Sequence, residues 1–422
     1  MDISIKHIRT VLLAAALMGL AITGCNITTS PTGAPSDGAT TPQEAASTAA
    51  QAQPTTADPF IGSPTPDLEA TQAALATPTE EPFHLPGGRL LVGVAEIGEG
   101  RNALLEGMRW LVLPDEVGEP YTVPSGDDPG TIRGVAWSPD YSHLVFVRES
   151  YAAGDELQIP QSRTIHLLGP DDTEPVLIAK PGIKGFIKDF SWSLDNRFVA
   201  FWNSDEWSEF GDVNKNTIHI YDVQTGVLKK LSVKATQPGG PVLSPNGDRV
   251  AYANQTYNPD TEGLYLINAD GTGEQRLVAG TIYYPQWHPD GTRLIFEQAD
   301  MNVDPTTGFR HIYSVDLGSG AVTLLTPVEQ NSHWSVLSPD GKSLTYISEG
   351  GFDLRIFVVG TEGGGTPVLL TRGHGTNIVW SPDSQYVAYP TEHLLYIMDI
   401  QGRGQAQIFP ELELFGLIAW LP

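Results

Sequence analysis

Cysteine and basic residues are scarce in this sequence of 422 residues. Cys25 is its only cysteine, which excludes an intramolecular disulfide and every cysteine-rich metal site. Lys and Arg together number 24 against 50 Asp and Glu, which gives a formal net charge of −26. Because binding to nucleic-acid phosphates needs a basic surface, this balance argues against a nucleic-acid partner.

The N-terminus lacks an apolar run long enough to cross a bilayer. Its apolar and small residues extend over positions 11–22, whereas a spanning helix needs about 20 residues. Lys6 and Arg9 stand before this run and supply the positive charge typical of an exported protein. The pattern predicts a signal peptide over residues 1–24.

The apolar run ends in Ile-Thr-Gly-Cys, residues 22–25. This segment resembles the bacterial lipoprotein signal, or lipobox. The resemblance implies that the Cys25 thiol carries a diacylglycerol, that cleavage falls just before it, and that the new amino group carries a further fatty acid such as palmitate. Two or three acyl chains make a stable anchor, which implies a protein held in the cell membrane at its extracytoplasmic face. The alternative is a coincidental cysteine in an ordinary secretory signal.

Residues 25–84 differ in composition from the rest of the chain. Thr, Pro, Ala and Ser supply 37 of the 57 positions from 26 to 82, and Phe60 is the only aromatic residue there. Such a segment buries too little apolar surface to offset its ordering entropy, so it is predicted to be a disordered tether. A glycosylated, mucin-like stalk has the same composition and is the alternative. The folded body is therefore assigned to residues 85–422.

One phrase occurs six times in the folded body. Each copy is an apolar run ending in Trp or Leu, then a turn such as Ser-Pro-Asp-Gly, then a second alternating run. Proline, aspartate and glycine in this order favour a tight turn, and two β-rich runs around such a turn form a hairpin. The copies are VAWSPDYSHLVFV (135–147), FSWSLDNRFVAFW (190–202), PVLSPNGDRVAYA (241–253), PQWHPDGTRLIFE (285–297), SVLSPDGKSLTYI (335–347) and IVWSPDSQYVAYP (378–390).

Two further strand-like runs follow each phrase, for example TIHIYDV and KKLSV after the second copy. Four strands in each repeat of roughly 40 to 55 residues are typical of β-propeller blades. The phrase resembles the TolB-type, WD40-like β-propeller repeat over residues 88–422. The resemblance implies an all-β ring of four-stranded antiparallel blades, and it implies protein–protein contact at the cell envelope.

The two ends of the folded body are predicted to complete a seventh blade. Residues 417–422 have the pattern of a first strand, and residues 89–95, 109–115 and 120–123 have the pattern of second, third and fourth strands. Pairing of the last strand with the N-terminal strands removes free sheet edges and closes the ring. Seven blades are therefore predicted, with six as the alternative because relatives of this repeat often have six.

Candidate chemical motifs are better explained by the repeat. The Gly-Lys-Ser of residues 341–343 lacks the first glycine of a phosphate loop and lies in a repeat turn. No GxSxG nucleophile elbow occurs, which argues against a hydrolase of the prolyl-oligopeptidase type. Asp300, Asn302 and Asp304 begin like a calcium loop, but Pro305 stands where that loop needs glycine. The sequence therefore predicts no catalytic residue, no metal site and no cofactor.

The mouth of the central channel is the expected binding region. Residues just ahead of the first strands would lie there, because the first strand of a blade is the innermost. The candidate contact residues are Arg133, Lys188, Tyr284, Asn331, His333, His374, Asn377 and Phe415. Three other histidines, His166, His219 and His311, fall in third strands, where they are predicted to occupy one repeat position and to pack within the sheets.

Together these features predict a lipid-anchored, extracytoplasmic β-propeller that acts as a protein-binding or scaffolding module. Cys25 would fix it to the membrane, and an envelope protein is the expected partner. The alternatives are a channel-centred enzyme acting on a carbohydrate or lactone, and a sensor of a small ligand or cation. Converging acidic or His side chains would favour the alternatives, whereas an aromatic-rich patch would favour the binding module.

Overall fold

A computed structural model describes the chain over residues 85–94, 107–121, 123–124, 130–151, 160–180, 187–204, 216–233, 240–256, 258–300, 309–350, 353–372, 377–391, 394–410 and 414–422. Within these residues every regular element is a β-strand, and no helix capable of crossing a membrane occurs among them. The compact unit that contains them spans Thr77–Pro422. The predicted signal peptide and tether, Cys25 included, lie outside the described residues.

The described strands form seven four-stranded antiparallel sheets, the blades of a β-propeller. Blades one and two contain β1 (Arg89–Val94), β2 (Gly107–Val112), β3 (Glu116–Tyr121), β4 (Thr131–Trp137), β5 (Leu144–Tyr151), β6 (Pro160–Leu168) and β7 (Val176–Ala179). Blades three and four contain β8 (Ile187–Trp192), β9 (Phe198–Ser204), β10 (Asn216–Asp222), β11 (Val227–Ser232), β12 (Val242–Leu243), β13 (Arg249–Asn254), β14 (Gly263–Asn268) and β15 (Gln275–Ala279).

Blades five and six contain β16 (Ile282–Trp287), β17 (Arg293–Asp300), β18 (Phe309–Asp316), β19 (Val322–Leu324), β20 (Ser332–Leu337), β21 (Ser343–Gly350), β22 (Asp353–Gly360) and β23 (Val368–Arg372). Blade seven contains β24 (Val379–Trp380), β25 (Tyr386–Thr391), β26 (Leu394–Asp399) and β27 (Gln405–Ile408). The final strand, β28 (Leu414–Leu421), belongs to blade one.

This final strand closes the ring. β28 pairs with β1 in antiparallel register, with Leu90 opposite Trp420 and Arg89 opposite Leu421. Blade one is therefore built from the last strand and the first three, in the order β28-β1-β2-β3. The predicted closure is confirmed, and so is the count of seven blades rather than six.

The first strand of each blade lies innermost, because the first strands of successive blades contact one another around the ring. Several anchoring tryptophans link these strands. The indole Nε1 of Trp287 donates to the carbonyl oxygen of Val242 in the preceding blade at 2.9 Å. Trp192 and Trp380 make the same kind of bond to their preceding blades. In these three blades, the Trp at the end of the first strand therefore joins neighbouring blades as well as filling the core.

The hydrophobic core is divided among the seven interfaces between neighbouring blades. Each interface holds one cluster of buried apolar side chains. At the closing interface, Leu90 and Trp420 of blade one lie in one cluster with Leu395 and Ile397 of blade seven. Because each blade is covered on both faces, its second strand shows a nearly continuous apolar run rather than simple alternation.

In six of the blades, a ring on the second strand stacks on a ring directly opposite on the third strand. The pairs are Phe146–His166, Phe201–His219, Tyr252–Tyr265, Phe296–Tyr313, Tyr346–Phe357 and Tyr389–Tyr396. His166 and His219 thus share the predicted repeat position. His311 does not, because the pairing register of β18 puts Tyr313 there and sets His311 opposite Gln298.

Candidate functional site

The structure places most of the predicted contact residues inside the first strands rather than ahead of them. The residues within β4, β8, β16, β20 and β28 are Arg133, Lys188, Tyr284, His333 and Phe415. Asn331 and Asn377 precede β20 and β24, and His374 lies outside the described residues. These strands begin earlier than predicted because a β-bulge interrupts the alternation of the sequence pattern.

The bulge falls three residues before the anchoring Trp or Leu. The pairing register shifts there in β4, β8, β16 and β20. In β4 this position is Gly134, whose φ of 59° lies in the left-handed region that glycine adopts readily. In β16 and β20 it is Tyr284 and Trp334, with φ of 46° and 52°. For such bulky residues this conformation costs on the order of 1–3 kcal/mol and is concentrated at functional sites.

Tyr284 and Trp334 form what we call the aromatic pair. Their exposed fractions are 51% and 37%, and no other aromatic residue is among the exposed large hydrophobic residues of the described chain. β16 and β20 contact each other, so the two rings stand on neighbouring inner strands. Exposed Tyr and Trp rings offer a large apolar surface together with a polar group, which suits them to binding interfaces.

A fully buried carboxylate, Glu297 of β17, holds the bulge that presents Trp334. Its Oε1 accepts the backbone N–H of Ser335 at 2.9 Å and the Ser335 hydroxyl at 3.3 Å, and the N–H of Trp334 is a further donor. A guanidinium nitrogen of Arg310 lies 3.6 Å from its Oε2. Burial raises the pKa of Glu297 to about 7, against the opposing effect of these donors and of Arg310.

Arg310 lies between this carboxylate, Tyr283 and the predicted contact residue Asn331. Its guanidinium lies 3.9 Å from the ring centroid of Tyr283, and its backbone N–H donates to the side-chain oxygen of Asn331 at 2.9 Å. The buried His333 ring meets the Trp334 ring edge to face, with centroids 4.5 Å apart. Burial, and then the nearby charge of Arg310, lowers the pKa of His333 to about 4, so this ring is neutral at physiological pH.

Gln286 of β16 holds the other side of the Ser335 peptide. Its side-chain nitrogen donates to the Ser335 carbonyl at 2.9 Å and to the Ser335 hydroxyl at 3.1 Å. Its side-chain oxygen accepts the backbone N–H of Leu337 at 3.0 Å. Blade five therefore fixes the inner strand of blade six through two side chains, Glu297 and Gln286.

Of the predicted contact residues, the structure brings Tyr284, Asn331 and His333 together around β16 and β20. The remaining described candidates belong to other blades, and their role as contacts stays a prediction. These are Arg133 on blade two, Lys188 on blade three, Asn377 before blade seven and Phe415 on blade one.

Sequence reasoning missed Trp334, Glu297 and Arg310, although a signal for Glu297 was present. Glu297 is the last residue of the fourth repeat phrase. A charged residue at a repeat position that is otherwise apolar departs from the repeat pattern. Packing of the blade does not require such a residue. The corresponding residues of the other phrases are Val147, Trp202, Ala253, Ile347 and Pro390.

Metal ions are held by groups of ligating side chains. Among the described residues, no group of three or more His, Cys, Asp or Glu side chains is placed to hold a metal ion. The calcium-loop candidate lies largely outside these residues, which stop at Asp300 and resume at Phe309. The cluster around β16 and β20 instead offers aromatic contact area backed by buried polar supports.

The closed ring of seven four-stranded sheets, with its cluster on the inner strands, defines an all-β protein of the β-propeller class. Residues 189–418 match the family model described as the TolB beta propeller domain. The match extends over more than half of the chain, and the chain belongs to this family.

Two relatives share part of the sequence. One, an uncharacterized peptidase, YuxL, of Bacillus subtilis, is 30% identical over 105 residues, which are 24% of this chain and 16% of that protein. The other, the Tol-Pal system protein TolB of Francisella tularensis, is 24% identical over 257 residues, which are 58% of this chain and 52% of that protein. The matched region thus spans about half of the TolB relative and about a sixth of the peptidase.

Among solved structures, an oligogalacturonate lyase of Vibrio parahaemolyticus is similar, with a TM-score of 0.51 and 13% sequence identity. The similarity covers 69% of this chain and 83% of that one. At this identity the similarity is one of fold alone.

Proposed function

We propose that this propeller is a binding module that captures a protein partner on the aromatic pair. The observation that carries the proposal is the exposure of two bulky aromatic residues at one repeat position of adjacent blades. The backbone of both residues is in the left-handed region. Their left-handed backbone conformation is energetically unfavourable for the folded state. The two side chains lie outside the core. A partner that covered them would gain about 25 cal/mol for each Å² of apolar surface removed from water. Tyr and Trp are also the residues that most often dominate binding energy at protein interfaces.

An envelope protein is the partner that we propose. The name of the TolB relative places it in a Tol-Pal system, which supports a protein partner rather than a small molecule. In this proposal Cys25 is acylated after removal of residues 1–24 and anchors the chain at the extracytoplasmic face of the membrane. The tether, residues 25–84, then gives the propeller a reach of about 40 Å.

The alternatives have weaker support in the geometry. A channel-centred enzyme acting on a carbohydrate or lactone needs an acid or base within hydrogen-bonding reach of its substrate. Glu297 is fully buried, and its hydrogen-bond donor Ser335 belongs to the next blade. Its carboxylate therefore stabilises the bulge of β20 and does not face solvent. A cation sensor needs converging ligands, and none are grouped in this way among the described residues.

Pull-down from native membranes tests the binding proposal. The chain carrying Tyr284→Ala and Trp334→Ala together is compared with wild type and with Val227→Ala, a matched control that is 60% exposed on the outer strand β11. Wild type and control are expected to recover the same envelope protein. The double variant is expected to recover it at least about tenfold more weakly, as for loss of an interface hot spot. Equal recovery by the double variant would contradict the proposal.

Metabolic labelling tests the anchor separately. Labelled palmitate is expected in the wild-type protein and not in Cys25→Ser, since Cys25 is the only cysteine. The variant is also expected to leave the membrane fraction while its propeller stays folded. Labelled Cys25→Ser protein, or wild type without label, would count against lipidation.

A further inference from the structure

The carboxylate of Glu297 reaches from blade five to the backbone of blade six at the residue that presents Trp334. Its Oε1 accepts from the N–H and the hydroxyl of Ser335, directly after Trp334 in the chain. These bonds hold the left-handed bulge in place. We propose that Glu297 is a positioning residue for Trp334, and that gain or loss of its proton changes how that ring is held. Its consequence for partner capture rests on the function proposed above.

The fold itself does not require an acid at this position. The equivalent second-strand residues of the other phrases are apolar, and their blades form the same four-stranded sheets without it. Burying a carboxyl group has a cost that only good partners offset. In blade five those partners are the backbone of the bulge and Arg310, so the acid is tied to the presentation of Trp334.

Protonation alters the strength of this hold. An ionised carboxylate accepts hydrogen bonds that are roughly twice as strong as those to a neutral acceptor. The bulge is therefore held more tightly when Glu297 is charged. Because burial raises the pKa of Glu297 to about 7, this change falls within the physiological pH range.

The charged and titratable groups that face Glu297 do not obscure its protonation. From β18, the Arg310 guanidinium faces Glu297, with a nitrogen 3.6 Å from its Oε2. From β20, His333 has a pKa lowered to about 4 and is neutral above pH 5. From β16, the Tyr283 ring lies against Arg310, and Gln286 is uncharged.

Fluorine NMR of the full chain labelled with 5-fluorotryptophan tests the inference without any partner. The resonance of Trp334 is assigned as the one lost in Trp334→Phe and is followed from pH 5 to pH 9. In wild type it is expected to move with a single midpoint at about pH 7, the pKa of Glu297. In Glu297→Gln, which keeps an oxygen acceptor but has no charge to gain, the resonance is expected to stay fixed.

Glu149→Gln is the matched control. Glu149 is also a buried carboxylate near the end of a second strand, but it accepts hydrogen bonds from Arg163 and Tyr151 within its own blade. This variant is expected to keep the wild-type titration of Trp334. A wild-type resonance that does not titrate would overturn the inference, and so would a midpoint near pH 7 that survives in Glu297→Gln.

Partner capture provides a second measurement. Its failure can be distinguished from a failure of the NMR titration. The membrane pull-down is repeated at pH 6 and pH 8 with wild type and Glu297→Gln. Wild type is expected to capture roughly fivefold more partner at pH 8 than at pH 6, and the variant to capture equally at both. If Trp334 titrates but nothing is captured at either pH, the proposed function fails while the positioning role stands. Equal capture by wild type at both pH values would contradict the link between the protonation of Glu297 and partner capture.

Discussion

At the scale of single residues, Gly341 shows how the repeat turns tie neighbouring blades together. Its φ is 75°, and a Cβ there would lie 2.6 Å from Nε2 of His288 and 2.9 Å from Cδ of Pro289 in the preceding blade. Gly341→Ala is therefore expected to lower the free energy of unfolding by about 2–4 kcal/mol, part from left-handed strain and part from overpacking. Urea denaturation followed by tryptophan fluorescence measures this loss.

Gly320 supplies the control for that substitution. Its φ is 72°, and a Cβ there would have no neighbour within 4 Å. Gly320→Ala should therefore cost only the left-handed strain, about 1–2 kcal/mol. Equal losses at Gly341 and Gly320 would show that contact between the blades adds nothing to the cost.

The buried carboxyl of Glu297 links stability to pH in the direction opposite to that of most acidic side chains. Because burial raises its pKa from 4.5 to about 7, the folded chain binds more protons between these values than the unfolded chain does. Its contribution is fully present below about pH 4.5 and is lost as the pH rises through about 7. Relative to Glu297→Gln, wild type is expected to lose on the order of 2–3 kcal/mol between pH 4.5 and pH 8.

Urea midpoints of wild type and Glu297→Gln across this range measure that difference. His333 has a lowered pKa and therefore destabilises the fold as the pH falls below about 6.5, but it does so in both proteins. Comparing the two proteins at each pH removes its effect. Stability curves that run parallel from pH 4.5 to pH 8 would mean that Glu297 does not titrate as described.

At the scale of elements, second strands were predictable from the sequence and first strands were not. Second strands carry a continuous apolar run after the turn, and β5, β13 and β21 begin in the run as expected. First strands vary from two residues in β12 and β24 to eight in β28. A bulge adds one residue to a strand of period two, so the segment before it changes face. The alternation rule therefore misplaced the start of these strands and hid the setting of Trp334.

The link made by the repeat tryptophans is also an element-scale property. Trp287→Phe keeps an aromatic ring but removes the indole donor to Val242 of the preceding blade. The variant is expected to lower the free energy of unfolding by about 1 kcal/mol more than Trp137→Phe does. Trp137 occupies the same repeat position, and its buried indole N–H has no acceptor among the described residues. Thermal and urea unfolding of both variants measure the difference, and equal losses would assign the stabilisation to the ring alone.

At the scale of the whole molecule, the blade number could be predicted because it is a count of sequence phrases plus the two ends. The functional cluster could not, because it depends on contacts between blades that no repeat rule encodes. The bond from Ser335 to Glu297 joins residues 38 positions apart in different blades. Only the departure of Glu297 from the apolar repeat pattern pointed toward it.

Ring closure by β28 gives the prediction that concerns the molecule as a whole. Deleting residues 414–422 would leave β1 with an unpaired edge and remove the inner-strand contacts of β28 with β24 and β4. It would also remove Trp420, which is 1% exposed and belongs to the core between blades seven and one. Loss of a buried Trp alone costs about 3–5 kcal/mol, so the melting temperature is expected to fall by roughly 10 °C or more.

Further measurements on the deleted chain distinguish the effect of losing ring closure from the effect of losing core side chains. Deleting only the exposed Pro422 leaves the β28–β1 pairing intact and is expected to change nothing. Because a free edge recruits other strands, the larger deletion is expected to associate in size-exclusion chromatography. A synthetic peptide of residues 414–422, added in excess, should refill the edge, restore the wild-type elution volume and raise the melting temperature. A deleted chain that melts like wild type and ignores the peptide would mean that the ring holds together without its last strand.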